Sequence, residues 1–294
     1  MHLIQAAVNA VSLGSFYALS ALGIALIFGV MRLINFAHGQ LIMVGGYLLV
    51  FLVPRTDWYV WIAGVLAVSV LLALAMERVA FRPVRAAEPA TLLITSFAIS
   101  YMLQNVAVLT LTAIPRTVGI PLAITQPVQI GGLFVEKLNM ITFAITVILV
   151  GALTLFLHRT RMGVQMRAAA EDFRMARILG ISTDRVIATA FAISGLFAGA
   201  AALVLVAQGG TVEPTFGVVP VLYAFTATIL GGMGSLIGAA MGGYLLGALT
   251  VVLQLILPSE LAAYRDALVF LVVMVLFVVR PQGLIVAPWA HERV

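Results

Sequence analysis

Residues 1–31, MHLIQAAVNAVSLGSFYALSALGIALIFGVM, contain no charged side chain; Arg32 is the first. At about 1.5 Å of helical rise per residue, such a run exceeds the ~30 Å apolar thickness of a bilayer. Only Gln5, Asn9 and a few hydroxyls interrupt it. A secretory signal carries its basic residues ahead of a shorter apolar core. Here the basic residue follows, so the stretch reads as a retained first helix. Further charge-free runs cover 33–54, 58–76, 89–115, 138–157, 186–212 and 214–259, and 261–279 is broken only by Arg265 and Asp266. Together they predict about nine apolar segments, near 5–31, 38–53, 58–77, 90–114, 139–158, 186–208, 216–233, 235–257 and 263–280. The second and seventh are short enough to be half-helices, which leaves eight full crossings as the alternative. The expected fold is all-α: a polytopic helical membrane protein of 8–9 transmembrane segments, one domain across 1–294.

Composition agrees. Of 294 residues 63% are hydrophobic and 9% charged, with mean hydropathy +1.16; a soluble domain carries about 25% charged residues. That is too little charge to solvate a water-soluble globule, and too apolar for a disordered chain. Cysteine is absent, which excludes disulfides, thiolate metal sites and a cysteine nucleophile. The net charge of +5 does not mark a nucleic-acid partner, because its distribution follows membrane orientation. Arg32, Arg78, Arg82, Arg85, the six arginines from 159 to 185, Arg280 and Arg293 fall on one side of the alternating segments, against Arg55, Arg116, Lys137 and Arg265 on the other. Twelve against four places the first group in the cytoplasm by the positive-inside rule. The N-terminus is then periplasmic and the C-terminus cytoplasmic.

Several functions are disfavoured by what the chain lacks. Every Asp and Glu lies in a loop or at a segment end, whereas an ion-coupled carrier usually keeps an ionisable residue within the membrane. The only lysine, Lys137, follows no glycine-rich phosphate loop. The four histidines form no HExxH zinc motif, and no GxSxG nucleophile elbow occurs. No catalytic residue, cofactor or metal site is expected, and any energised function draws on a partner. A secondary carrier or channel is the rival class; it predicts transport without ATPases and an inverted repeat, and none is evident. A membrane enzyme is the third, and it lacks a catalytic cluster.

The loop HRTRMGVQMRAAAEDFRMARILGISTDR, 158–185, holds nine charged residues. Its centre, 164–179, reads as a short helix with Ala169, Phe173 and Ala176 on one face and Gly180 as its stop. Arg167 with Glu171, and Glu171 with Arg174, are spaced for side-chain ion pairs; Asp172 completes the acidic step. A solvated loop retained for orientation is the plain reading. The functional one is a coupling helix whose small-residue face approaches a cytoplasmic ATPase, with Phe173 and Met175 as anchors.

At this point the chain resembles a known family, the LivH-type permease subunits of bacterial branched-chain amino-acid ABC importers. Four blocks carry the resemblance in order: LGIALIFGVMRLINFAHGQ at 22–40, RMGVQMRAAAEDFRMARILGIS at 161–182, GGMGSLIGAAMGG at 231–243 and RPQGL at 280–284. The broader importer loop has Glu-Ala-Ala, three residues, then Gly; aligned on Gly180, this chain has Arg174, Met175 and Ala176 there. The resemblance implies an ABC importer permease fold in the bacterial inner membrane. It also implies a second related permease, two cytoplasmic ABC ATPases and a periplasmic substrate-binding protein as partners. The substrate it implies is a branched-chain amino acid, with urea or another small polar solute as the alternative.

Three further groups are candidates. Asn35, His38 and Gln40 join the first two segments, as an inner-mouth or gating cluster or simply an interfacial turn. Gly234, Gly238 and Gly242 have GxxxG spacing, which suits close helix packing. Arg55, Arg116, Lys137 and Arg265 are the outer cations, available to acidic residues of a binding protein or to lipid headgroups.

Overall fold

Apolar runs in lipid have no water for their backbone groups, so each closes its own hydrogen bonds as a helix. The computed structural model describes residues 2–120, 126–130 and 133–279. Its helices are α1 (His2–Met31), α2 (His38–Leu52), α3 (Trp58–Met76), α4 (Pro89–Leu111), α5 (Lys137–Arg159), α6 (Arg161–Glu171), α7 (Phe173–Ile178), α8 (Thr183–Gly209), α9 (Val218–Gly231), α10 (Leu236–Ile256) and α11 (Arg265–Val279). A π-helical stretch, Glu77–Phe81, and the turn Arg82–Val84 extend α3, and a 3-10 turn, Ser259–Tyr264, precedes α11. Counted with those extensions, seven helices among the described residues are long and apolar enough to cross a membrane, the last as Glu260–Val279; α2 and α9 are apolar but shorter. The RPQGL block, Arg280 and Arg293 lie outside the described residues.

Local sequence sets the boundaries. Pro89 starts α4, where a missing N–H costs nothing. Gly210, at φ +64°, stops α8 in the left-handed conformation that glycine adopts freely. Beyond the long helices, the only extended structure described is two small antiparallel pairs. Arg116–Thr117 (β1) pairs with Thr211–Val212 (β4), and Pro127–Ile130 (β2) with Leu133–Glu136 (β3).

One helix is central. The apolar window of α1 is 83% buried, against 22% for each of α3, α4 and α5, and α1 packs on α5, α8, α9 and α10. Its contact with α10 is backbone to backbone. A Cβ at Gly243 would lie 2.4 Å from Ala18 N, and one at Gly247 would lie 2.4 Å from Gly14 N. Lipid supplies little apolar driving force between helices, so such small-residue crossings and buried hydroxyls hold them together. Thr146 Oγ1 of α5 donates to Thr142 O (2.8 Å) and shares its proton with Ser15 O (3.1 Å), and Thr228 Oγ1 of α9 donates to Ala224 O (2.8 Å) and shares its proton with Ala21 O (3.3 Å). The outer helices present apolar side chains outward, Leu109 and Val278 among them. A bilayer calls for this inside-polar, outside-apolar arrangement.

Candidate functional site

The two ends of the bundle differ. One carries the connections 53–57, 112–120 and 210–217 with the 3-10 turn; the other carries the arginine-rich 77–88 and 160–182. At the arginine-rich end the expected helix 164–179 is corrected to two helices, α6 and α7. Asp172 is extended (φ −142°, ψ 104°), and its Oδ1 accepts from the N–H groups of Arg174 (2.8 Å) and Met175 (2.9 Å). An aspartate here caps the second helix better than it continues the first. Gly180, at φ +81°, ends α7, with Ile181 N donating to Ala176 O and Gly180 N to Arg177 O, the paired bonds of a glycine stop.

The face assignment also changes. Ala169 and Ala176 are buried and Phe173 is half-buried, all against the chain's own bundle. What α7 and its end present outward is Met175, Ile178 and Leu179, the last two 70% and 78% exposed. The expected ion pairs of Glu171 with Arg167 and Arg174 do not form. Arg167 Nε instead donates to Leu157 O at 3.1 Å, satisfying a carbonyl at the end of α5. Between the coupling segment and the bundle lies a cleft of about 440 Å³, lined by Val30, Arg32, Arg85, Glu171, Phe173 and Ile187, among others.

A charged cluster fastens this end, and sequence reading did not pick it out. Arg85 bonds Glu77 (3.0 Å) and Asp184 (2.5 Å), and Arg82 also pairs with Asp184. The cluster ties the extension of α3 to the start of α8. Glu77 and Arg85 are mostly buried, which makes their pairing obligatory for each other. The one available signal was an acid, Glu77, within an arginine-rich turn.

Asn35, His38 and Gln40 do not line an open mouth in this structure: all three are buried. The reason is where α2 starts. A Cβ at Gly23, eight residues before the end of α1, would lie 2.5 Å from the His38 ring. His38 Nδ1 is 3.1 Å from Ser194 Oγ, eleven residues inside α8. The chain thus turns back into the bundle after Arg32 before α2 begins. Asn35 Oδ1 accepts from Ala37 N (3.0 Å), and Gln40 Nε2 donates to Ser100 Oγ of α4 (2.9 Å). Phe36 stacks on Phe97, with centroids 4.3 Å apart. Asn35 Nδ2, His38 Nε2 and Gln40 Oε1 are buried without a hydrogen-bond partner. Ser194→Ala removes the hydrogen-bond partner described for the His38 ring and is expected to destabilise the protein by about 1–2 kcal/mol. Thermal melting in detergent measures it, and an unchanged midpoint speaks against the bond.

The glycines divide. Gly238 and Gly242 face α9 closely: their added Cβ atoms would meet Gly231 O at 2.3 Å and Ala227 O at 2.1 Å. Gly234 belongs to neither helix. It sits in the turn between them at φ +98°, so the GxxxG expectation is corrected there, and backbone conformation explains that glycine. Of the outer cations, Arg55 Nη1 donates to Phe51 O (3.4 Å), Arg116 Nη2 to Leu111 O (3.1 Å) and Arg265 Nε to Asp266 (3.2 Å). Lys137 is the first residue of α5. Arg55, Arg116 and Arg265 thus bond to groups within five residues of themselves.

Comparison with known proteins fits this architecture. The family model described as "Branched-chain amino acid transport system / permease component" matches residues 6–278. The high-affinity branched-chain amino acid transport system permease protein LivH of Escherichia coli K12 is 34% identical over 98% of this chain and 97% of its own length. The LivH of Salmonella typhimurium is 33% identical over the same shares, and the BraD permease of Pseudomonas aeruginosa 31% over 98% and 97%. No solved structure gives a significant match. Family match and near full-length identity converge: the chain belongs to the branched-chain amino acid transport permease family.

Proposed function

We propose that this chain is the non-catalytic permease subunit of a bacterial inner-membrane ABC importer that moves branched-chain amino acids into the cytoplasm. In this reading a second related permease completes the path, two ATPases grip the arginine-rich end, and a periplasmic binding protein delivers substrate to the opposite end. The N-terminus is periplasmic and the C-terminus cytoplasmic. The observation that carries the reading is identity of a third to the LivH permease along nearly the whole chain, backed by the arginine bias, which puts α6 and α7 on the cytoplasmic side.

Mechanistically, α6 and α7 are the handle. Their buried alanines lock them to α1 and α8, so a rigid-body movement of an ATPase bound to Met175, Ile178 and Leu179 passes into the spans. The Arg82–Asp184–Arg85–Glu77 cluster moves with it, keeping α3 and α8 together. Arg55, Arg116, Lys137 and Arg265 form the cationic side offered to the binding protein, or to lipid headgroups.

The test is reconstitution. Proteoliposomes holding this chain, its partner permease and the ATPases, with loaded binding protein, are expected to accumulate leucine, isoleucine or valine only with ATP. Uphill accumulation by this chain alone overturns the reading in favour of a carrier. Uptake of urea with no amino-acid uptake overturns the substrate.

A further inference from the structure

The two short helices begin at one buried point. A Cβ on Gly39, in the first turn of α2, would lie 2.4 Å from Gly217 O; one on Gly217, the N-cap of α9, would lie 1.8 Å from Gly39 O. From there they diverge. Gly46 of α2 lies near Val212 and Phe216, and Gly45 near Ala202, so α2 climbs towards the end bearing the β1–β4 pair. The α9 helix descends to the Gly232–Ser235 turn, where Gly234 O approaches Gly29 near the arginine-rich end of α1. At 15 and 14 residues each covers roughly 21–23 Å, less than a bilayer core. Two helix N-termini therefore meet inside the bundle, each equivalent to roughly +0.5 of a charge.

A second observation points to a ligand there. Asn35 is buried, and its Oδ1 is engaged by Ala37 N, the N-cap of α2; this fixes the amide orientation and leaves Nδ2 of the same amide, beside that N-cap, as a donor with nothing to donate to. A buried unpaired donor is costly and calls for an acceptor. Neither α2 nor α9 contains an acidic residue, and Gln40 Oε1 of α2 is itself without a partner, so no side chain of the two helices meets this donor. We propose that the junction of the α2 and α9 N-termini receives the carboxylate of the transported solute, with Asn35 Nδ2 as its side-chain donor. The site is closed in this conformation, since Gly39 and Gly217 touch; movement of α9 against α2 opens it. Half-helix N-termini at membrane depth suit an anionic substrate group without a cationic side chain beside it. The inference rests on the proposed amino-acid import.

Asn35→Asp and Asn35→Ser test it. Aspartate keeps the oxygen that accepts from Ala37 N and serine supplies a weaker one, but neither retains the amide donor, and aspartate adds a negative charge where the carboxylate goes. The full assembly in proteoliposomes, with leucine-loaded binding protein, is expected to lose at least tenfold in leucine uptake with either variant. ATP hydrolysis stimulated by the loaded binding protein should persist and co-purification of the subunits stay intact. Parental uptake by either variant overturns the carboxylate assignment and leaves Asn35 a residue of the turn into α2. If the parent assembly itself takes up no amino acid, the import reading fails instead, and the two failures are thereby distinguished.

Discussion

Gly217→Val is expected to leave the assembly unable to reach its parental melting temperature and to abolish uptake. The first atom of any side chain at this position would lie 1.8 Å from the Gly39 carbonyl oxygen. That obstacle is backbone, held by the first turn of α2, so no rotamer relieves it. Overpacking of a closed core costs typically 1–3 kcal/mol, and a backbone clash of this depth sits at or above the upper figure, about 3 kcal/mol. Valine also adds branches that press on Val221, which already neighbours Gly39. Gly151→Ala is the matched control: nothing lies within 4 Å of its added Cβ in the middle of α5, and helix propensity gains up to about 1 kcal/mol. Thermal melting of the purified chain in detergent separates them. A Gly217→Val protein that melts with the parent would show that α2 and α9 do not meet as described.

The double substitution Ile178→Glu with Leu179→Glu carries the second large effect, on assembly and not on folding. Both side chains are mostly exposed, and exposed substitutions of this kind shift stability by only about 0.5 kcal/mol. At a docking surface, an apolar anchor contributes about 2 kcal/mol or more. Losing two, and burying two carboxylates in their place, is expected to weaken ATPase binding by about a thousandfold. Co-purification of the ATPases with the permease pair reads this directly, while membrane insertion and melting remain parental. ATPases retained at parental stoichiometry and affinity would move the docking surface elsewhere, with the inward-facing Phe173 side as the next place to look.

Much of the architecture was legible before any coordinates. Charge-free runs long enough to span lipid foretold α1, α3, α4, α5, α8 and α10, and an apolar run broken only by Arg265 and Asp266 foretold α11, because hydropathy reports a solvent preference that each helix satisfies alone. The shortness of the second and seventh segments was equally visible. The coupling segment was legible as helix but misread as continuous: the apolar rhythm of Ala169, Phe173 and Ala176 runs across Asp172, and only the cap geometry reveals that the aspartate ends one helix to start another. The same rhythm marks a buried face without saying what buries it, so alanines expected to meet a partner lie against the chain's own bundle. Spacing misled at Gly234, where a four-residue interval is shared by helix packing and by a turn with positive φ.

Residue chemistry along the chain marked this polypeptide for lipid, and its sequence offers no P-loop, HExxH or GxSxG motif. It also pointed, through the arginine bias, to which end faces the cytoplasm. These are properties of single segments, additive along the sequence. Where α2 and α9 begin, which face α7 shows, and that Asn35 sits buried with an idle donor were decided by tertiary packing. Such facts depend on two or more segments at once: Gly39 and Gly217 are 178 positions apart, and no local pattern encodes that their backbones touch. Glycine permits the approach; only the fold around α1 brings it about.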